Sequence, residues 1–143
     1  MRRVLITFAL GTLTGCGGDS STGGTAARFP SVAGMYQVYG AVNSPPGAGQ
    51  FSGPLAISQA SRDVASLTGS ASVSVTIAGK TERYTTISFG ELADYGSIQL
   101  YLDSPTSSNR IHFRGQVDGR VIKGSMDITV SNAVYFGTFT ATR

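Results

Sequence analysis

The chain has no tryptophan, one cysteine (Cys16) and one histidine (His112). A single thiol cannot close an internal disulfide. One imidazole and one thiol are too few donors for a zinc or copper centre, so neither a metal nor a cofactor is expected. Charge is scarce as well. Only 13% of the residues are Asp, Glu, Lys or Arg, about half the usual share. The net charge of +3 includes Arg2 and Arg3, which lie in a segment expected to be removed. Nine basic residues then face eight acidic ones, and so small a surplus is no footprint for nucleic acid. The apolar run at 4–13 is too short to cross a bilayer as a helix, which takes roughly 20 residues. No window sustains the 3.6-residue period of an amphipathic helix.

What is abundant is glycine, 19 residues of it, and alternation of apolar with polar residues. Eight strand-like runs follow one another from residue 34 onward: 34–42, 50–59, 64–77, 83–89, 96–103, the two arms of a hairpin across 110–130, and 133–143. The third is the clearest, with Leu67, Gly69, Ala71, Val73, Val75 and Ile77 on one parity and Ser or Thr on most of the other. Short connections between successive runs predict an antiparallel meander, without the long crossover of a Greek key. Eight such strands curl until their ends meet, which removes the exposed edges. The expectation is an all-β, eight-stranded antiparallel up-and-down β-barrel over 34–143.

The hairpin around Asp118-Gly119 is the strongest local signal, because Asp-Gly suits a two-residue type I′ turn. With Val117 facing Arg120, Phe113 stands opposite Gly124 on the inner face. On the outer face Arg114 stands opposite Lys123, His112 opposite Ser125 and Arg110 opposite Asp127. Inward glycines at Gly53, Gly69, Gly115, Gly124 and Gly137 would permit the strong coiling of a narrow barrel. The inward positions, from Val38 and Leu55 through Ile87, Phe89 and Phe113 to Phe139, are bulky in every strand. They fit a filled core, which a domain of this size needs. They also fit the lining of a small ligand cavity.

The first residues have the layout of a secretory signal: a basic start, a short apolar run, then small residues. Leu13-Thr14-Gly15-Cys16 resembles the lipobox of bacterial lipoproteins. That resemblance implies a signal peptide over 1–15, a lipid on the Cys16 thiol, and anchoring of the mature chain to a membrane of the cell envelope. Gly17 rather than Asp follows the cysteine, which by the same resemblance favours the outer membrane. Residues 16–33 begin rich in Gly, Ser and Thr and are expected to be the lipidated cysteine with a flexible tether.

The ends of the barrel segment carry a second resemblance. Gly34-Met35-Tyr36 opens the first strand and Gly137, Phe139, Ala141 and Arg143 mark the last. Calycins (lipocalins, avidins, fatty-acid-binding proteins) open with Gly-x-Trp, and an arginine of the last strand packs over that ring. The resemblance implies barrel-end closure by Tyr36 and Arg143, with Tyr in place of Trp, and a calycin-like architecture. It implies no particular ligand.

Little in the chain points to catalysis. There is no Gly-x-Ser-x-Gly elbow. Gly79-Lys80-Thr81 looks like the end of a phosphate loop, but the glycine required five residues earlier is Ser74, in mid-strand. Asp63, Glu91, Asp94, Asp103, Asp118 and Asp127 are scattered, mostly where turns are expected. Arg110, His112, Arg114 and Lys123 gather on the outer face of the hairpin, as a solvated wall or as a patch for an anionic partner. The expected protein is therefore not an enzyme but a monomeric, lipid-anchored binding or structural module of the cell envelope. Two alternatives remain open. One is a carrier of a small apolar ligand. The other is a protease inhibitor acting through Ala26-Ala27-Arg28-Phe29-Pro30. Partners would be the membrane through the anchor, and a small apolar ligand or an envelope protein.

Lipid attachment has a direct readout. Hydrocarbon burial contributes about 0.8 kcal/mol per CH₂, and one chain alone holds only marginally, whereas several hold firmly. Cys16→Ser should move the protein from the carbonate-washed membrane fraction to the soluble one. Retention of the variant on washed membranes would overturn the lipobox expectation.

Overall fold

The computed structural model describes residues 28–44 and 49–143. Eight strands follow in chain order: β1 (Gly34–Ser44), β2 (Gly49–Gln59), β3 (Ser66–Ile77), β4 (Lys80–Leu92), β5 (Ser97–Asp103), β6 (Arg110–Asp118), β7 (Val121–Val130) and β8 (Ala133–Thr142). Each pairs antiparallel with the next, and β8 closes on β1, giving an eight-stranded up-and-down barrel. A short 3₁₀ turn, Asp94–Gly96, links β4 to β5. The alternation in the sequence sets the two faces. Along β5, Ile98, Leu100 and Leu102 are buried while Ser97 and Gln99 are exposed, as period-2 side-chain direction requires.

The interior is packed through its middle. Phe113 lies 5.8 Å from Phe51 and 4.6 Å from Phe139, ring centroid to centroid. Leu55, Leu100, Ile111, Ile122, Met126 and Ile128 are buried with them. Eight strands leave a bore just wide enough for such side chains.

The hairpin turn lies one residue later than expected, which moves the register by two residues. Asp118 pairs with Val121, so the turn residues are Gly119 and Arg120. Only Gly119, at φ 58°, has a positive φ, the pattern of a type II′ turn with glycine first. Phe113 therefore faces Met126, Gly115 faces Gly124, His112 faces Asp127, Arg114 faces Ser125 and Arg110 faces Thr129. A shift of two residues, the side-chain period, leaves every residue on its expected face. Two other hairpin turns, Ala78-Gly79 and Ser131-Asn132, have positive φ at both positions. The Gly115–Gly124 pair is where two strands crowd. A Cβ on Gly124 would run into the Arg114 carbonyl oxygen, and the Phe139 ring covers Gly115.

Phe89 also departs from expectation: it is 49% exposed. The β4–β5 pairing shifts register between Ile87 and Phe89. This irregularity turns Phe89 outward and puts Gly90 in the core. Ahead of β1, Phe29 and Val32 are buried members of the core, so the packed unit begins before Gly34.

A filled interior has a mechanical signature. Phe113→Ala should leave a cavity and cost about 3–5 kcal/mol. Gly124→Val should overpack the glycine pair and cost about 1–3 kcal/mol or more. Denaturant melts measure both, and wild-type midpoints for the two variants would contradict a packed bore.

Candidate functional site

The two ends of the barrel differ. At one end the segment before β1 forms a plug. The Phe29 amide donates to the Arg62 carbonyl at 2.9 Å, and Arg62 Nε donates back to the Phe29 carbonyl at 2.9 Å. The Val32 amide donates to Gln59 Oε1 at 3.1 Å. Arg28 pairs with Asp94 at 3.2 Å. Tyr36 and Arg143 meet here. The guanidinium lies 5.8 Å from the ring centroid and donates to the Ala33 carbonyl at 2.7 Å. The Tyr36 hydroxyl donates to the Val32 carbonyl at 2.9 Å. Burial raises the Tyr36 pKa above its ordinary value, and the positive charge of Arg143 opposes part of that rise.

The opposite end is formed by the turns Ala78-Gly79 and Ser131-Asn132 and by the β5–β6 connection, residues 104–109. Between them lies a pocket of about 590 Å³. Val75, Ile77, Tyr84, Val130 and Tyr135 give it apolar walls; Lys80, Thr81, Thr106 and Ser131 give it a polar rim. Its one carboxylate is Glu82, on the inward parity of β4 and paired in register with Val75. Asn109 Nδ2 donates to Glu82 Oε2 at 2.6 Å, and Ser104 Oγ donates to Oε1 at 2.6 Å. The Ser107 hydroxyl donates to Oε1, and the fully buried Tyr84 hydroxyl donates to Oε2 at 3.3 Å. Four donors fill a carboxylate's acceptor capacity. Burial alone would push the Glu82 pKa up, but the four hydrogen bonds outweigh it and leave it below the ordinary glutamate value. Tyr84 is driven up by burial first and by the Glu82 charge second. Asn109 Oδ1 accepts from the Ser131 amide at 3.2 Å, which ties the same loop to the β7–β8 turn. A saturated carboxylate is a poor general base. It works here as the peg on which the 104–109 loop is hung over the pocket.

The expected cationic patch is a row on the outer wall of β6, and its charges are largely compensated. Arg110 grips Asp103 through Nε at 2.6 Å and Nη2 at 3.2 Å. That grip holds the Asp103 carboxyl below its usual range. Arg114 reaches Asp127 at 2.8 Å. His112 stacks on Tyr101, centroids 4.1 Å apart and planes 7° from parallel. Its Nδ1 is 3.4 Å from Asp127 and its Nε2 is 3.3 Å from Gln99. Burial lowers the His112 pKa, with Asp127 pulling the other way. Lys123 stands apart from this row. Its register partners are Gln116 and Thr140, so it meets no like charge in register.

Glu82, Tyr84, Ser104 and Asn109 were not among the expected site residues. The expected fourth strand started at 83, which left Glu82 in a turn. Because Ala78-Gly79 is a two-residue turn, β4 resumes at Lys80 and Glu82 points inward. Cys16, with the expected leader and the tether as far as residue 27, lies outside the described residues. Among the described residues, no three His, Cys, Asp or Glu side chains gather as a metal site would need.

No protein-family model matches the chain, and no curated protein matches it. Among solved structures it is similar to a fluorescence-activating β-barrel designed de novo, with a TM-score of 0.55 at 9% identity. The match covers 82% of this chain and 97% of that one. At this identity the likeness shows the fold alone.

The Glu82 peg makes the mouth acid-sensitive. Its folded pKa is depressed, so its contribution to stability is present above the ordinary value of 4.5 and is lost as the pH falls below it. Glu82→Gln should therefore lose less stability than wild type between pH 7 and pH 3, while the Asp103 share persists in both. Glu82→Ala should cost about 1–3 kcal/mol at neutral pH by leaving the buried Tyr84 hydroxyl without an acceptor. Chemical melts at the two pH values check both, and equal acid losses in wild type and Glu82→Gln would contradict the peg.

Proposed function

We propose that this chain is a lipid-anchored binding module of the cell envelope, without catalysis, that holds a small ligand at the open mouth of its barrel. The anchor is Cys16, and the outer membrane is the favoured site. The observation that carries the binding role is the mouth pocket. Its volume of about 590 Å³ lies in the range of small-molecule sites, and it combines apolar walls with a few polar groups. Because the bore below is packed, the ligand sits at the mouth and not in the barrel core. It is small and largely apolar, with a polar or anionic group near Lys80.

The alternatives fare differently. A carrier would use this same mouth, so it survives as a description of what the module binds. An inhibitor would need its N-terminal segment to project. Phe29 instead turns into the core, 4% exposed, and is hydrogen-bonded to Arg62. A non-catalytic role is supported by the state of Glu82, the pocket's one carboxylate, both of whose oxygens are already engaged.

Native mass spectrometry of the protein isolated from its own envelope tests the proposal. A bound small molecule should appear on the wild type and be lost from Val130→Trp, which fills the pocket, at an unchanged melting temperature. A wild-type protein free of adduct that also fails to enhance anilinonaphthalene sulfonate fluorescence would overturn it.

A further inference from the structure

Charge is divided sharply around the barrel. Strands β1, β2, β3 and β8 contain no Asp, Glu, Lys, Arg or His along their whole length. They are contiguous, so one half of the wall is neutral. The acidic and basic strand residues all lie on β4 to β7, where Arg110 and Arg114 meet Asp103 and Asp127. An ordinary protein surface is charged at about one residue in four.

The neutral wall is not bland. Four large apolar side chains stand out along the β8–β1 seam: Met35 (63% exposed), Tyr39 (57%), Phe136 (51%) and Val134 (49%). Tyr39 pairs in register with Thr140, and Phe136 lies four residues along β8 from that pair. Met35 lies four residues the other way along β1. Met35, Tyr39 and Phe136 are thus spaced at intervals of about 13 Å along the seam, at 3.3 Å per residue. Hydrogen-bonding side chains fill the intervals, Gln37 and Asn43 on β1 and Thr138 and Thr140 on β8. Beside Tyr39 is a shallow, open hollow of about 580 Å³, bounded by Ala41, Thr138, Thr140 and Lys123. Among the described residues, Lys123 makes no ion pair.

From this we propose that the β8–β1 wall binds a neutral polysaccharide strand, with one sugar ring seated in the hollow against Tyr39. A pyranose ring offers an apolar C–H face to an aromatic ring and a rim of hydroxyls to Thr, Asn and Gln. A repeating chain of such rings matches aromatic posts separated by hydrogen-bonding side chains, and the one cation at the hollow, Lys123, can donate to a ring hydroxyl. A protein partner would be met by a continuous apolar centre. A bilayer would be met by basic residues around an apolar face. Neither describes this seam. The site is separate from the mouth pocket and does not depend on it.

The probes are two neutral oligomers, chitotetraose and a soluble β-1,3-glucan, titrated into the folded protein while amide chemical shifts are followed. Saturable shifts along β8 and β1 are expected for at least one. Tyr39→Ala and Phe136→Ala should each weaken binding by about fivefold or more, at unchanged melting temperature because both side chains are exposed. Arg110→Ala should leave binding unchanged. Absence of saturable shifts with both oligomers at millimolar concentration would overturn the proposal. So would shifts confined to the mouth. Sedimentation as a dimer that Tyr39→Ala dissolves would assign the wall to a second copy instead, and vesicle binding lost in Tyr39→Ala would assign it to lipid.

Discussion

Closure of the sheet through β8 on β1 is the constraint on which everything else depends. Once eight strands close, the bore has a fixed width and can hold roughly one layer of side chains across it. The aromatic rings must then interdigitate, as Phe51, Phe113 and Phe139 do. Where a ring fills the bore, the wall behind it must be thin. That is why Gly115 and Gly124 stand opposite one another and Phe139 lies over them. Glycine here is a packing requirement, because a side chain at Gly124 would meet the backbone of β6.

A closed barrel still has two open ends, and the chain treats them oppositely. One is stoppered by Phe29 and Val32, whose backbone groups are hydrogen-bonded to the side chains of Arg62 and Gln59, and by the Tyr36–Arg143 contact. The other keeps its pocket and spends an inward carboxylate on holding a loop. An inward Glu82 costs desolvation, and it is tolerated because four donors surround it. The packed middle separates the ends, so chemistry at the mouth is insulated from the plug.

Strand number, order and facing were legible in the sequence because period-2 alternation encodes them directly. Register was not. Asp118-Gly119 reads as the two turn residues of a type I′ hairpin, yet glycine takes the first turn position and the pairing moves by two residues. Local composition does not distinguish these turns when both keep the same faces inward. Phe89 could not be placed because an irregularity between Ile87 and Phe89 reverses parity there. The plug was hidden for another reason: Phe29 and Val32 are isolated apolar residues with no period to betray burial. At the sites, the cations of β6 were visible one by one. Their compensation was legible only in part: the expected register set Arg110 opposite Asp127, whereas Asp127 serves Arg114 and Arg110 pairs with Asp103 on β5. Glu82 was lost with the strand start.

The placement of the ends bears on how such a module would work. Arg28, the first described residue, sits at the plugged end beside Asp94. With Cys16 as the proposed anchor, twelve residues precede it, a reach of at most about 40 Å when fully extended. The anchored chain then enters at the end opposite the pocket. The neutral wall along β8 and β1 runs between the two ends. Tyr36 and Arg143 thereby acquire a second consequence. By locking the last strand to the segment before the first, they hold the plug against the barrel at the end where the chain enters it.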